Sequence, residues 1–120
     1  MIGRPRAEAL AHEWIDAWNA HDPDRVVAHF TDDVVVHSPL AAQLRPDSGG
    51  VLRGKAAVLD YYRDGLAASP GLHFTLVEVG VGVDAVAIVY RNHREMLVVE
   101  WLNLDDDGMV CAVSVAYPSE

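Results

Sequence analysis

The sequence predicts an α+β fold in which three helices precede an antiparallel sheet. Apolar residues recur at helical spacing through much of the first half, and apolar β-branched runs take over from Leu72 onward. Short turn-rich segments separate those runs, and a chain of 120 residues is long enough for one core but not two.

In "PRAEALAHEWIDAWNAHD", Ala7, Leu10, Ala11, Trp14, Ala17 and Trp18 fall three and four residues apart, and Pro5 suits a first helical turn. The first helix follows. "DPDRVVAHF" restarts with Asp22 as N-cap and Pro23 at the first helical position, with Val26, Val27 and Phe30 on its inner face. "TDD" then turns the chain into a short strand, Val34 to His37. "LAAQLRPDSGGVLRG" is rich in Pro, Gly and Ser and reads as a loop. A third helix, Lys55 to Ala67, presents Val58, Tyr61, Tyr62 and Leu66 and stops near "SPG". The runs "LHFTLVEVG", "DAVAIVYRN", "EMLVVEWLNL" and "MVCAVSVAY", parted by "VGVD", "NHR" and "DDDG", form a four-stranded meander. Two of them are apolar on nearly every residue, so both faces of the sheet require cover. Helices cover one face. The other calls for a second subunit, and a homodimer is the expected state.

Composition removes several classes of function. With 51% hydrophobic and 22% charged residues the chain has the balance of a folded globular protein. A net charge of −9, with nine Lys and Arg in total, opposes nucleic acid and anionic lipid as partners. No apolar run approaches the roughly 20 residues of a membrane span, and "MIGRPRAEALAHEW" lacks the apolar stretch of a signal peptide, so a cytoplasmic location is expected. Cys111 is the sole cysteine and lies in an apolar strand, which excludes an internal disulfide and makes a weak nucleophile. His12, His21 and His29 fall on helix surfaces or ends. His37, His73 and His93 sit at strand ends or turns without metal-ligand spacing. No Gly-rich phosphate loop or dinucleotide fingerprint is present, so neither a metal nor a cofactor is expected.

Glu100 in "LVVEWLNL" is the residue that needs explaining. A carboxylate within an apolar strand is costly unless it is paired, protonated or functional. The structural reading is an outward position, or an ion pair with Arg94 or Arg91; the functional reading is a buried acid of raised pKa. Trp14 and Trp18 are first read as core aromatics at helical spacing, and Tyr61 and Tyr62 likewise.

The order of these segments carries a resemblance. The first helix, "WNAHDPDRVVAHFTDDVVVHSP", a loop, "LRGKAAVLDYYRDGL" and four strands ending in "LDDDGMVCAVSVAY" resemble the nuclear transport factor 2-like superfamily in its SnoaL-like and ketosteroid-isomerase-like branch. The resemblance spans nearly the whole chain, as a single domain over residues 1–120. It implies a cone-shaped fold, with a strongly curved sheet wrapped around three N-terminal helices to enclose an apolar pocket in a dimer. On the ketosteroid isomerase pattern, Glu100 falls where that family has the buried acid of its oxyanion hole, and Tyr62 on a supporting pocket tyrosine. Trp14 takes the place of the catalytic tyrosine and Ser38, before Pro39, that of the proton-shuttling aspartate. Val98 and Leu102 beside Glu100, with Val113, Val115 and Tyr117 of the last strand, are the expected pocket lining, and His37 its rim. Indole and protonated carboxyl can both donate hydrogen bonds, but serine cannot abstract a carbon-bound proton unaided. Strand alternation points His37 away from the pocket if Ser38 points in. Two functions stand: a cofactor-independent isomerase, cyclase or hydrolase acting on an apolar carbonyl- or hydroxyl-bearing substrate, or a binder of a small apolar molecule without turnover.

Overall fold

The computed structural model describes residues 2–118. Helix α1 (Arg4–Asn19) opens the chain, followed by a short α2 (Pro23–Val27) capped by the Asp22 side chain, which accepts from the backbone N–H of Arg25. Strand β1 (Phe30–His37), helix α3 (Pro39–Leu44), a 3-10 turn (Pro46–Ser48) and β2 (Val51–Arg53) come next. Helix α4 (Lys55–Ala68) precedes the long strands β3 (Thr75–Val81), β4 (Ala85–Arg91), β5 (Leu97–Leu104) and β6 (Val110–Ala116). They form one curved, unclosed sheet in the order β2-β1-β6-β5-β4-β3, antiparallel throughout except where β1 runs parallel to β6.

The expected meander is β3 to β6, and two features depart from expectation. Phe30 is not on a helix: α2 ends at Val27, and the backbone N–H of Val110 donates to His29 O at 2.8 Å, drawing the chain into β1 four residues earlier than the apolar run suggests. The stretch read as a loop holds both α3 and the edge strand β2. Pro39 fits the first turn of α3, and Gly50, at φ +86°, lets the chain reverse. A Cβ at Gly50 would stand 3.2 Å from Ser38 O, so the backbones approach too closely there for a larger residue without adjustment.

Alternation along β5 decides the interior. Val98, Glu100 and Leu102 are buried against the helices, whereas Leu97 and Trp101 face out at 42% and 47% exposure. Register carries the same division to its neighbours: Glu100 lies opposite Ile88 and Val115, and Trp101 opposite Ala87 and Ser114. The core is strongly aromatic. Trp14 packs nearly parallel to Phe74 at 6.2 Å between centroids and also meets Trp18 and Tyr90. Trp18 in turn sets its edge against Tyr62 at 4.7 Å.

One side chain ties α1 to the sheet. Asn19 Nδ2 donates to Phe74 O at 2.9 Å, and Asn19 Oδ1 accepts from the Phe74 N–H at 2.7 Å. The amide thus pairs with the main chain as a strand would, and fixes Phe74 immediately before β3. Asn19→Ala removes both bonds and strands two peptide groups, which should cost about 1–3 kcal/mol of unfolding free energy in urea denaturation; an unchanged midpoint would refute the clamp.

Candidate active site

The cavity lies at one end of the sheet, between the last turn of α1, the start of α3, α4, the β4–β5 turn and the end of β6. Its volume is about 320 Å³, at the small end of the range of roughly 300–1,000 Å³ for small-molecule sites. Trp18, Val36, Tyr61, Tyr62, Phe74 and Val115 supply much of an apolar and aromatic wall. Glu100 opens onto it.

The chain cannot avoid placing Glu100 there, because β5 must turn Val98 and Leu102 inward and Glu100 shares their parity. It is 5% exposed. Tyr90 donates its hydroxyl to Glu100 Oε2 at 2.6 Å, and Oε1 has no hydrogen-bond partner among the described residues. No ion pair joins Glu100 to Arg91 or Arg94, so the structural alternative is not what the molecule adopts. Burial pushes the carboxyl from 4.5 up to about 8, and the Tyr90 hydrogen bond opposes only part of that rise. At neutral pH the group is therefore mainly a carboxylic acid, able to accept at Oε2 and donate at its other oxygen.

The surrounding phenols are held neutral. Burial, reinforced by the nearby Glu100, raises the Tyr62 and Tyr90 hydroxyls well above their ordinary range, and burial raises Tyr61 and Tyr117 as well. Tyr62 and Tyr117 have no hydrogen-bond partner among the described residues, so both are donors without a recipient. Ser38 is buried at the entry to α3, and its hydroxyl lies 3.4 Å from that of Tyr61, a long contact. A neutral phenol cannot deprotonate serine, so the Ser38–Tyr61 pair supplies no base.

The structure gathers Glu100, Tyr62, Ser38, Val115 and Tyr117 around the cavity. It does not bring the remaining expected residues there. Trp14 is fully buried one helical turn before Trp18, enclosed by Trp18, Phe74 and Tyr90; α1 presents Trp18 to the cavity instead. Both indole N–H groups are shielded without a partner among the described residues, so Trp14 offers no hydrogen bond at the site. Val98, Leu102 and Val113 share Glu100's side of the sheet but are fully buried in the core away from the cavity wall. His37 is exposed, since Ser38 takes the inward position and alternation sends its neighbour out.

Tyr90 was not singled out from sequence. Its signal is the hairpin register: Tyr90 pairs with Val98 and Ile88 with Glu100, which sets tyrosine and carboxyl diagonally on one face. Asn92, His93, Arg94 and Met96, at the turn and the start of the following strand run, also line the cavity, a placement that the turn signal does not carry. Among the described residues no group of three or more His, Cys, Asp or Glu could hold a metal ion, and no helix is long and apolar enough to cross a membrane.

An unclosed, curved sheet around helices with a cavity at its end defines the cone of the nuclear transport factor 2-like group. A sequence profile described as the SnoaL-like domain matches residues 11–113, and the chain belongs to that family. It is similar to a SnoaL-like protein of unknown function from Burkholderia thailandensis E264, at 37% identity over 98% of each chain and a TM-score of 0.93. Two more distant structures share the fold. The epoxide hydrolase/cyclase-like enzyme SalBIII, described for pyran ring formation in polyether salinomycin, has 18% identity over 98% of this chain and 95% of its own, with a TM-score of 0.77. A candidate ketosteroid isomerase from Kribbella flavida DSM 17836 has 19% identity over 97% and 80%, with a TM-score of 0.74. No curated protein matches the chain significantly.

The raised pKa of Glu100 makes stability depend on pH in a defined direction. The unfolded carboxyl ionises near 4.5 and the folded one near 8, so between those values the folded chain holds the proton that the unfolded chain has lost. The contribution is complete below 4.5, declines as pH rises towards 8 and is gone above it, on the order of a few kcal/mol in all. Glu100→Gln should remove that decline. The check is the urea midpoint of both proteins across this range; parallel curves would show that Glu100 titrates normally.

Proposed function

We propose that the chain is a small-molecule enzyme of the isomerase, cyclase or hydrolase kind, acting without a cofactor on an apolar substrate that carries a carbonyl or hydroxyl group. The observation that carries this reading is Glu100: a carboxyl 5% exposed, bonded to Tyr90 through one oxygen, with the other unpartnered at a cavity. A protonated Glu100 donates to a substrate oxygen and favours the form in which negative charge gathers there; Tyr62 and Tyr117 are further neutral donors in the same wall. Tyr90 keeps the carboxyl oriented. The same geometry serves opening or closure of an oxygen-containing ring, in which Glu100 protonates the departing oxygen and later takes a proton back. Its pKa near 8 suits both directions at neutral pH.

One observation favours a second reading, binding without turnover. On the ketosteroid isomerase resemblance Ser38 takes the place of the base, and its buried neighbour, the Tyr61 hydroxyl, cannot deprotonate it. Proton abstraction from carbon then falls to Glu100 alone.

Both readings require a preformed site, so a thermal-shift screen with steroids, terpenes and polyketide-like aromatics should raise the melting temperature. Conjugation of a β,γ-unsaturated ketone, followed in the ultraviolet, separates them. The enzyme reading expects turnover that falls at least about 100-fold in Glu100→Gln, whereas absent or equal turnover favours the binder.

The outer face of the sheet supports a homodimer. Trp101, Leu97 and Val77 lie there at 47%, 42% and 52% exposure, with the small Ala87 and Ser114 opposite Trp101 on either side. Light scattering on the eluting protein should give twice the chain mass, halved in Trp101→Arg. A monomeric native protein would overturn the dimer and leave the cavity reading intact.

A further inference from the structure

We propose that the ligand of this cavity is an amphipathic anion: a small molecule whose apolar body fills the pocket, whose inner oxygen meets Glu100, and whose carboxylate is held by Arg94 of the β4–β5 turn. The inference rests on the site reading above and names the ligand class within it.

Charge distribution is the first support. The chain has 18 Asp and Glu against nine Lys and Arg, yet among the described residues Arg94 and Glu100 are the only lining side chains with an ordinarily charged group besides the imidazole of His93. With Glu100 mainly protonated, the wall is cationic in a protein that is otherwise strongly acidic. Such a protein repels anions at a distance, so a guanidinium carried by a residue of the cavity wall supplies the local attraction that an anionic ligand needs. A neutral ligand would gain at most a hydrogen bond from it, without the charge attraction.

The guanidinium is also uncommitted. Arg4, Arg25, Arg45 and Arg63 each pair with a carboxylate; Arg94, like Arg6, Arg53, Lys55 and Arg91, makes no ion pair among the described residues, and of these five Arg94 is the one that lines the cavity. It does not neutralise Glu100 either, because no ion pair or hydrogen bond joins the two side chains. Arg94 and Glu100 thus act on separate parts of a bound molecule.

The turn that carries Arg94 is tightly laced. Asn92 Oδ1 accepts from the backbone N–H groups of Arg94 and Met96 at 2.9 and 3.0 Å, Asn92 O accepts from the Glu95 N–H at 3.0 Å, and the Asn92 N–H donates to Met96 O at 3.0 Å. Glu95 takes a left-handed φ of +62° to complete the reversal. With the backbone fixed, holding a carboxylate requires ordering only the Arg94 side chain, whose planar fork matches two carboxylate oxygens.

Benzoylpropanoate, an aryl ketone with a carboxylate, and its methyl ester form a matched pair of probes. Titrated by calorimetry into the native protein, the acid should bind about tenfold more tightly than the ester. That preference should vanish in Arg94→Gln, an exposed position where folding is not at risk. Added salt should weaken the acid and spare the ester. Equal binding of acid and ester, or a preference that survives Arg94→Gln, overturns the anion site while leaving the apolar pocket standing. Failure of both probes to bind overturns the pocket reading as well.

Discussion

The burial of one carboxyl on the inner face of β5 is the constraint around which the rest of the site is arranged. Glu100 shares its parity with Val98 and Leu102, both fully buried, so no shift of register can expose the acid without exposing them and drawing Trp101 and Leu97 inside. The strand thus accepts a costly group in exchange for a registered core. What makes the cost tolerable is protonation, together with the Tyr90 hydroxyl at 2.6 Å. A group kept neutral by its surroundings in this way is a poised acid.

The aromatic framework exists at the same place for the same reason. Tyr90 meets Glu100 because β4 and β5 pair as a hairpin, and Tyr90 is itself held against Phe74, with centroids 4.2 Å apart, and against Trp14. Phe74 is fixed by the amide of Asn19 at the end of α1. The chain of contacts therefore runs from helix end to strand entry to tyrosine to carboxyl. Trp14 is a structural member of that chain, and Trp18, one turn later, is the α1 aromatic that reaches the cavity.

Much of this was legible beforehand. Helical spacing located α1 and α4, turn residues separated the four long strands, and an acid inside an apolar run pointed to Glu100. Alternation tied Ser38 and His37 to opposite directions, but which of the two turns inward rested on the family resemblance, and the rim position expected for His37 is not where the exposed side chain lies. Other features rest on pairings that leave little local trace. The parallel pairing of β1 with β6 joins segments far apart in sequence, and β2 is three residues concealed among Gly, Pro and Ser. Trp14 and Trp18 have the same spacing pattern and the same chemistry; only the direction in which α1 crosses the sheet distinguishes the core residue from the cavity residue.

By itself the sequence determined the class of fold, the family resemblance and the presence of one anomalous acid, because hydrophobic periodicity and the cost of burying charge are written residue by residue. Tertiary structure alone decided which groups surround that acid. Tyr90 lies ten residues away along the chain and 2.6 Å away in space, while Arg94 shares the cavity without pairing with the carboxyl. Hairpin register and the packing of α1 set those relations, and both are properties of how elements meet rather than of any segment read alone.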